Sequence, residues 1–217
     1  KSFMISINNK KVYIIAEIGV NHNGSLTRAK KMIKACKVVG ADAVKFQTYK
    51  AINVADTLVS KAEYQKKDNK KDSQYEMLKK YELNDKDFII LHEYAKNLNI
   101  DFISTAVDTI SLRFLISKLK LKTIKIGSSD LTNIQLLLKA GRTKKNIIIS
   151  SGLANIDNID IALSALCYGY ANKDFNFNYK RDQKLYLKHD KYLSTKVSLL
   201  HCTTDYPALI DELNLNV

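Results

Sequence analysis

Six short apolar runs recur along the chain: VYIIAEIG at 12–19, AVKFQT at 43–48, IDFISTA at 100–106, TIKIGS at 123–128, NIIISSG at 146–152 and VSLLHCTT at 197–204. Runs that are apolar throughout, instead of alternating with polar residues, suit strands covered on both faces. Strands that alternate with helices suit a parallel sheet. The repetition therefore predicts an α/β fold, a (β/α)8 barrel of which about six strand-helix units are present. A doubly wound nucleotide-binding sheet is the alternative. The turn after the first run, EIGVNHNGS, has neither the GxGxxG nor the GxxxxGK[ST] spacing that such a sheet needs for phosphate.

At the N-terminus, FMISI, NNKK and VYIIAEIG read as a β-hairpin whose second arm continues as the first core strand. Helices are expected at about 25–39 with Gly40 as the stop, at 85–98 opening on Asn84, and at 109–119, 133–139 and 158–168. The polar excursion at 49–80, with a capping box at Ser73 and Glu76, is too long for an ordinary connection and is expected to fold over something. The lysine- and tyrosine-rich stretch at 171–196 reads as a solvated loop with a short amphipathic helix.

At 217 residues and 46% hydrophobic, the chain can bury the core of one large domain. Its net charge of +13 comes almost wholly from scattered lysines, with no arginine-rich or aromatic-interleaved stripe, so nucleic acid is not expected as a partner. Cys36, Cys167 and Cys202 are odd in number and lack CxxC spacing, which argues against a disulfide framework or a zinc site and for a reducing compartment. No apolar run of membrane-spanning length and no signal-peptide pattern is seen. A cytoplasmic protein with no membrane partner is expected.

Two lysines stand inside the apolar strands, Lys45 in AVKFQT and Lys125 in TIKIGS. Burying an unpaired ammonium costs several kcal/mol, so an anion is expected at these strand ends. In a barrel the functional groups gather at the carboxyl ends of the strands. There the sequence offers Glu17, Asn21 and His22; Lys45, Gln47 and Thr48; Ser104 and Thr105; Lys125, Ser128 and Asp130; Ser150 and Ser151; and His201, Thr203, Thr204 and Tyr206. Lysines supplying charge, with hydroxyls supplying directed hydrogen bonds, describe a phosphate or carboxylate pocket. Glu17 could pair with one of the lysines or serve catalysis, and His22 could brace its loop or touch substrate. His92 and His189 are read as structural or exposed.

AEIGVNHNGS, ADAVKFQT, KAEYQ with its leading Lys61, FISTA, KIGSSD, IIISSGLA and LLHCTTDYP together resemble the successive blocks of the N-acetylneuraminate (sialic acid) synthase family, which includes legionaminic and pseudaminic acid synthases. The resemblance runs from about 12 to 216 and implies an enzyme that condenses phosphoenolpyruvate with an open-chain N-acetylated hexosamine, such as N-acetylmannosamine, and releases phosphate. It implies that Lys45, Gln47, Thr105, Lys125, Ser128 and Ser150 hold phosphoenolpyruvate, that Glu17 and Tyr206 face the sugar, and that Glu17, Lys45 and Lys125 are the catalytic set. Asp130 stands where the family has a longer glutamate.

The family resemblance further implies a divalent metal, Mn or Mg, bound by two histidines on the next two strands, and a small C-terminal antifreeze-like domain acting in a homodimer. None of these lies within 1–217, so this chain is expected to be the N-terminal part of the barrel domain, with no metal ligands of its own and no activity alone. A Schiff-base aldolase using Lys45 or Lys125, and a non-catalytic barrel remnant that binds a small anion, are the competing readings.

Overall fold

The structure is a computed structural model that describes residues 6–7, 10–55, 73–171, 176–182, 184–188, 190–204 and 208–213. A two-stranded antiparallel hairpin, β1 (Ser6–Ile7) with β2 (Lys10–Lys11), precedes a parallel sheet. In chain order the sheet elements are β3 (Ile15–Gly19), β4 (Ala43–Thr48), β5 (Asp101–Ala106), β6 (Thr123–Ile126), β7 (Asn146–Ser150) and β8 (Val197–Leu200). Each pairs with the next, so the six strands lie side by side in sequence order. This is the expected incomplete (β/α)8 barrel, an open half-barrel with helices between its strands.

The helices are α1 (Leu26–Val38), α2 (Ala51–Val54), α3 (Gln74–Tyr81), α4 (Asp85–Asn97), α5 (Thr109–Ser117), α6 (Ile134–Arg142), α7 (Ile156–Ala171), α8 (Tyr179–Asp182) and α9 (Asp190–Lys196). Their starts follow the capping chemistry written in the sequence. The Ser25 hydroxyl accepts from Arg28 N–H, Ser73 with Glu76 and Asn84 with Asp87 form reciprocal capping boxes, and Asp108 accepts from Ser111 N–H. The excursion at 49–80 supplies α2 and α3, and the stretch at 171–196 supplies α8 and α9.

The hairpin's second arm does not run on into the first core strand as expected. Residues 12–14 leave the hairpin because their polar groups are taken by neighbouring turns. Ile14 N–H donates to the Asp42 carboxylate, the Ile14 carbonyl accepts from Asp42 and Ala43, and the Tyr13 hydroxyl donates to Asp101.

Period-two alternation sorts the sheet's side chains. Val44, Phe46, Phe102, Ile124, Ile126, Ile147 and Ile149 face the helices and are all buried. Phe46 stacks on Phe102 at 5.0 Å and meets Phe88 of α4 edge-on at 6.3 Å, so the β4–β5 seam is locked to its helix layer by aromatic packing. Full burial of one such side chain is worth about 1.5–3 kcal/mol. Further along, α6 and α7 touch backbone to backbone: a Cβ on Gly141 would lie 2.4 Å from the Leu166 carbonyl oxygen, and one on Gly169 2.5 Å from that of Leu138. At the edge, Leu199 and Leu200 of β8 are 44% and 39% exposed, so both faces of the last strand lie open.

Each helix-to-strand turn preceding β4 through β7 ends in a left-handed residue. These are Gly40, Asn99, Lys120 and Lys144, with φ of 90°, 52°, 54° and 59°. Glycine takes this geometry without penalty and asparagine tolerates it, whereas a lysine pays about 1–2 kcal/mol. Lys120 is exposed and forms no side-chain hydrogen bond or ion pair with a described residue that would offset the cost. Lys120→Gly is expected to raise unfolding stability by about 1 kcal/mol, read as a higher denaturant midpoint at unchanged slope. A lower midpoint would mean that the lysine side chain supports the fold.

Candidate active site

The opposite parity of the strands builds the inner face. Glu17 of β3 lies opposite Lys45 of β4, Gln47 opposite Thr105 of β5, Thr105 opposite Lys125 of β6, Lys125 opposite Ile148 of β7, and Ser150 opposite Leu200 of β8. Eight residues singled out from the sequence (Glu17, Lys45, Gln47, Thr105, Lys125, Ser128, Asp130 and Ser150) therefore lie on the inner face or at the strand ends that border it. The ninth, Tyr206, lies outside the described residues, as do His189 and the KAEYQ block.

Lys45 Nζ forms an ion pair with Glu17 Oε2; the lysine side chain is 13% exposed and the carboxylate 50%. Glu17 thus sits at the wet rim and reaches inward. Of the two possibilities the sequence left for it, pairing with a lysine is one the structure contains. Glycines measure how tightly the ring closes. A Cβ on Gly19 would stand 3.1 Å from Glu17 Oε1 and 3.8 Å from Gln47 Nε2. One on Gly127 would stand 3.6 Å from Asp130 Oδ2 and 4.0 Å from Thr105 Cγ2.

Lys125 is the most deeply held charge. Its side chain is 5% exposed and its Nζ donates to the Ile126 carbonyl at 2.5 Å. Burial, and then the nearby Lys45 ammonium, pull its pKa down to about 8, against the opposing pull of Cys202, Glu17 and Asp130. Cys202, which the sequence counted only among odd cysteines, is therefore a member of this electrostatic group. Its position five residues into the last apolar run was the signal that strand parity could have read.

Asp130 follows Gly127 in a short 3-10 turn, Ser128–Asp130. Burial and the neighbouring Asp108 raise its carboxyl pKa, although the Ser129 hydroxyl donates to it at 3.3 Å. Asp108 was also missed by the sequence reading. It caps α5 and accepts from Asn53 Nδ2 at 3.3 Å, which fixes the α2 segment beside the β5 end. Gln47, Thr105, Ser128 and Ser150 make no side-chain hydrogen bond to another described residue, so their polar groups remain available to a ligand.

Five other members of the expected polar ring do different work. Thr48 and Ser104 have the outward parity and hydrogen-bond each other at 2.7 Å among the buried residues beneath the helices. Ser151 is spent tying β7 to β8 through the Leu200 carbonyl at 2.9 Å. His22 braces its loop: it is buried, stacked on Phe46 at 5.9 Å, and accepts from Gly24 N–H at 3.1 Å. Its pKa is lowered by burial, partly countered by a hydrogen bond to the Gly19 backbone. His201, at the β8 end, is exposed with Nε2 2.6 Å from the Leu213 carbonyl oxygen. His92 packs edge-on to Phe102 at 5.6 Å, a structural position. No group of three His, Cys, Asp or Glu side chains able to hold a metal ion converges among the described residues. The implied metal finds no ligand set there.

Helices outside and two electrostatically coupled lysines inside define a class: parallel-barrel proteins whose mouth carries positive charge at the strand ends. Within that class the chain belongs to the NeuB family, whose profile matches residues 32–217. It is 42% identical over 204 residues to an N,N'-diacetyllegionaminic acid synthase of Legionella pneumophila, covering 94% of this chain and 52% of that protein. It is 42% identical over 207 residues to the enzyme of the same name from Campylobacter jejuni, covering 95% and 55%. A crystal structure of N-acetylneuraminic acid (sialic acid) synthetase from Leptospira borgpetersenii, in complex with citrate, superposes with a TM-score of 0.63 at 27% identity, covering 91% of this chain and 69% of that one. The chain spans about half the length of the Legionella and Campylobacter relatives.

Lys125 carries a stability cost that Lys125→Met should reveal, with the variant more stable by roughly 1–3 kcal/mol at neutral pH. The sign follows from the depressed pKa, about 8 in the folded chain against the ordinary lysine value of 10.5. Below 8 both states carry the charge, and only the folded one must desolvate it. Between about 8 and 10.5 the unfolded state binds the extra proton, so wild-type stability rises with pH and the advantage of the variant fades. Denaturant titrations at pH 7 and pH 10 measure this. A variant less stable than wild type at pH 7 would mean that the ammonium is a net support of the fold.

Proposed function

We propose that the complete protein condenses phosphoenolpyruvate with an open-chain N-acetylated amino sugar to give a nonulosonic acid and inorganic phosphate. One observation carries the reading: a buried lysine, Lys125, coupled to a second lysine, Lys45, on the inner face of the barrel. Two ammonium groups in a poorly hydrated site repel each other and are individually under-solvated, which a phosphate and carboxylate between them would relieve. The family membership supports the same chemistry. Among the amino sugars, the 42% identity to two diacetyllegionaminic acid synthases favours one with two acetamido groups.

In this reading Lys45 and Lys125 neutralise phosphoenolpyruvate, with Gln47, Thr105, Ser128 and Ser150 giving directed hydrogen bonds. Carbon 3 attacks the sugar aldehyde, whose oxygen gains a proton as the C–C bond forms. Water then adds at carbon 2 and loses a proton, and phosphate leaves by C–O cleavage. Glu17, ion-paired at the rim, and Asp130, with its raised pKa, are the carboxyl groups positioned to hold these protons. Tyr206 is assigned to the sugar side. A divalent metal, homodimer assembly, a cytoplasmic setting, supply to a cell-surface polysaccharide and the inactivity of residues 1–217 alone belong to the same proposal. So does the domain reading, in which 1–217 is the N-terminal part of the barrel domain. The aldolase reading is disfavoured because two coupled lysines with hydroxyl neighbours suit an anion better than a lone desolvated amine.

The full-length protein, supplied with phosphoenolpyruvate, manganese and either N-acetylmannosamine or a diacetamido hexose, is expected to release phosphate only when a sugar is present. Lys45→Ala and Lys125→Ala should each weaken phosphoenolpyruvate binding by roughly 2–4 kcal/mol. Wild-type affinity for phosphoenolpyruvate should fall as pH rises through about 8, where Lys125 loses its proton. Unchanged affinity in both variants would remove the lysines from the site. A borohydride-trapped adduct with a keto acid would move the assignment to the aldolase class.

A further inference from the structure

The end of the barrel opposite the mouth carries a charge pattern that the proposed reaction does not use. Because the strands are parallel, the turns entering them lie side by side at that end. The turns entering β6, β7 and β8 present Lys118, Lys120, Lys122, Lys144 and Lys196 as exposed side chains, with Lys145 partly buried. Lys144 is engaged locally, its Nζ 3.4 Å from the Gly169 carbonyl oxygen and 6.0 Å from the Tyr170 ring centre. The other five form no ion pair with a described residue. From Thr109 to Ile156 the only acidic residue is Asp130, and it stands at the mouth. By contrast, the turns entering β4 and β5 carry Asp42 and Asp101, which hold Ile14 N–H and the Tyr13 hydroxyl.

Two details indicate what such a face meets. Its cations are lysines with no exposed aromatic residue or arginine in the same turns, so it offers charge without the bidentate or stacking contacts by which nucleic acid is gripped. At the same end, the close of α1 leaves Val38 and Val39 77% and 81% exposed. Protruding aliphatic side chains at the same end as the lysines gain nothing on a polynucleotide. They do gain at the boundary between lipid headgroups and acyl chains.

We propose that this end of the barrel docks on an anionic lipid bilayer, with the lysines against headgroup phosphates, Val38 and Val39 at the acyl boundary, and the mouth turned away toward solution. The contact is peripheral, since no helix among the described residues is long and apolar enough to cross a membrane. It does not depend on which reaction the mouth performs.

Co-sedimentation of the full-length protein with phosphatidylcholine vesicles, with and without about one-third phosphatidylglycerol, tests this at physiological salt. Binding is expected only to the anionic vesicles. The triple variant Lys118→Glu, Lys120→Glu, Lys122→Glu should lose about 100-fold in affinity, at about fivefold for each lysine. A control with the same charge change, Lys31→Glu, Lys80→Glu, Lys86→Glu, should lose less than about threefold, since its sites lie off the docking face. Val38→Ser with Val39→Ser should weaken binding without changing net charge. Retained phosphate release by the first triple variant would show that it is folded; if it is inactive or unfolded, the valine pair and the control triple still decide. Equal losses in both triples, no anionic preference, or tighter binding to RNA than to vesicles would each overturn the proposal.

Discussion

An ammonium group inside a barrel has few places to go. Helices cover the outer face of every strand from β4 to β7, and neighbouring strands consume the backbone donors and acceptors, so a strand-borne charge must point inward and find its counter-charge there. Lys45 meets Glu17 from the adjacent strand, and Lys125 meets the Ile126 carbonyl and the fields of Glu17 and Asp130. Neither arrangement neutralises both lysines, since Glu17 at a half-exposed rim is ion-paired to Lys45 and reaches Lys125, as Asp130 does, only through its field. The remainder of the inner face is organised around that shortfall of negative charge. Its hydroxyls and its amide are left without hydrogen-bond partners among the described residues, and its glycines let the ring close to van der Waals distance.

The same sheet separates inner-face polarity from polarity buried under the helices by a single residue of register. Gln47 and Thr48 are adjacent, yet one borders the interior and the other is buried under helices against Ser104. Ser150 and Ser151 divide likewise, one on the inner face and one bridging β7 to β8. Loop groups are fixed from outside the sheet: His22 by Phe46 and Gly24, and the α2 segment by Asn53 on Asp108. Glu82 adds a second hold on that segment, accepting from Ala51 N–H at 3.0 Å and pairing with Lys50 at 3.8 Å. The mouth is thus shaped by contacts that involve no inner-face residue.

Much of this was legible in the chain because the relevant physics is local. Apolar run length announced the strands, Ser25, Ser73 and Asn84 announced helix starts, and two lysines in apolar surroundings announced the charge held on the inner face. What was misread involves partners far apart in sequence. Thr48 and Ser104 were placed in the polar ring because they end strands, whereas their parity is set by packing on the helix layer. The hairpin's second arm was extended too far because the carboxylates of Asp42 and Asp101 draw residues 12–14 away from it. Cys202 and Asp108 were passed over because their importance is electrostatic, through Lys125 and Asp130 respectively.

The sequence by itself determined the alternation of strands and helices, the caps that bound the helices and the residue types available at the strand ends, since each depends on neighbours a few positions away. Only the tertiary structure decided which of those polar groups share a face, which lysine is paired and which is left desolvated at a pKa of about 8, and that five lysines from three separate turns gather at the far end of the barrel. Those outcomes depend on strand register and on fields acting across the sheet, and neither is written in any one stretch of the chain.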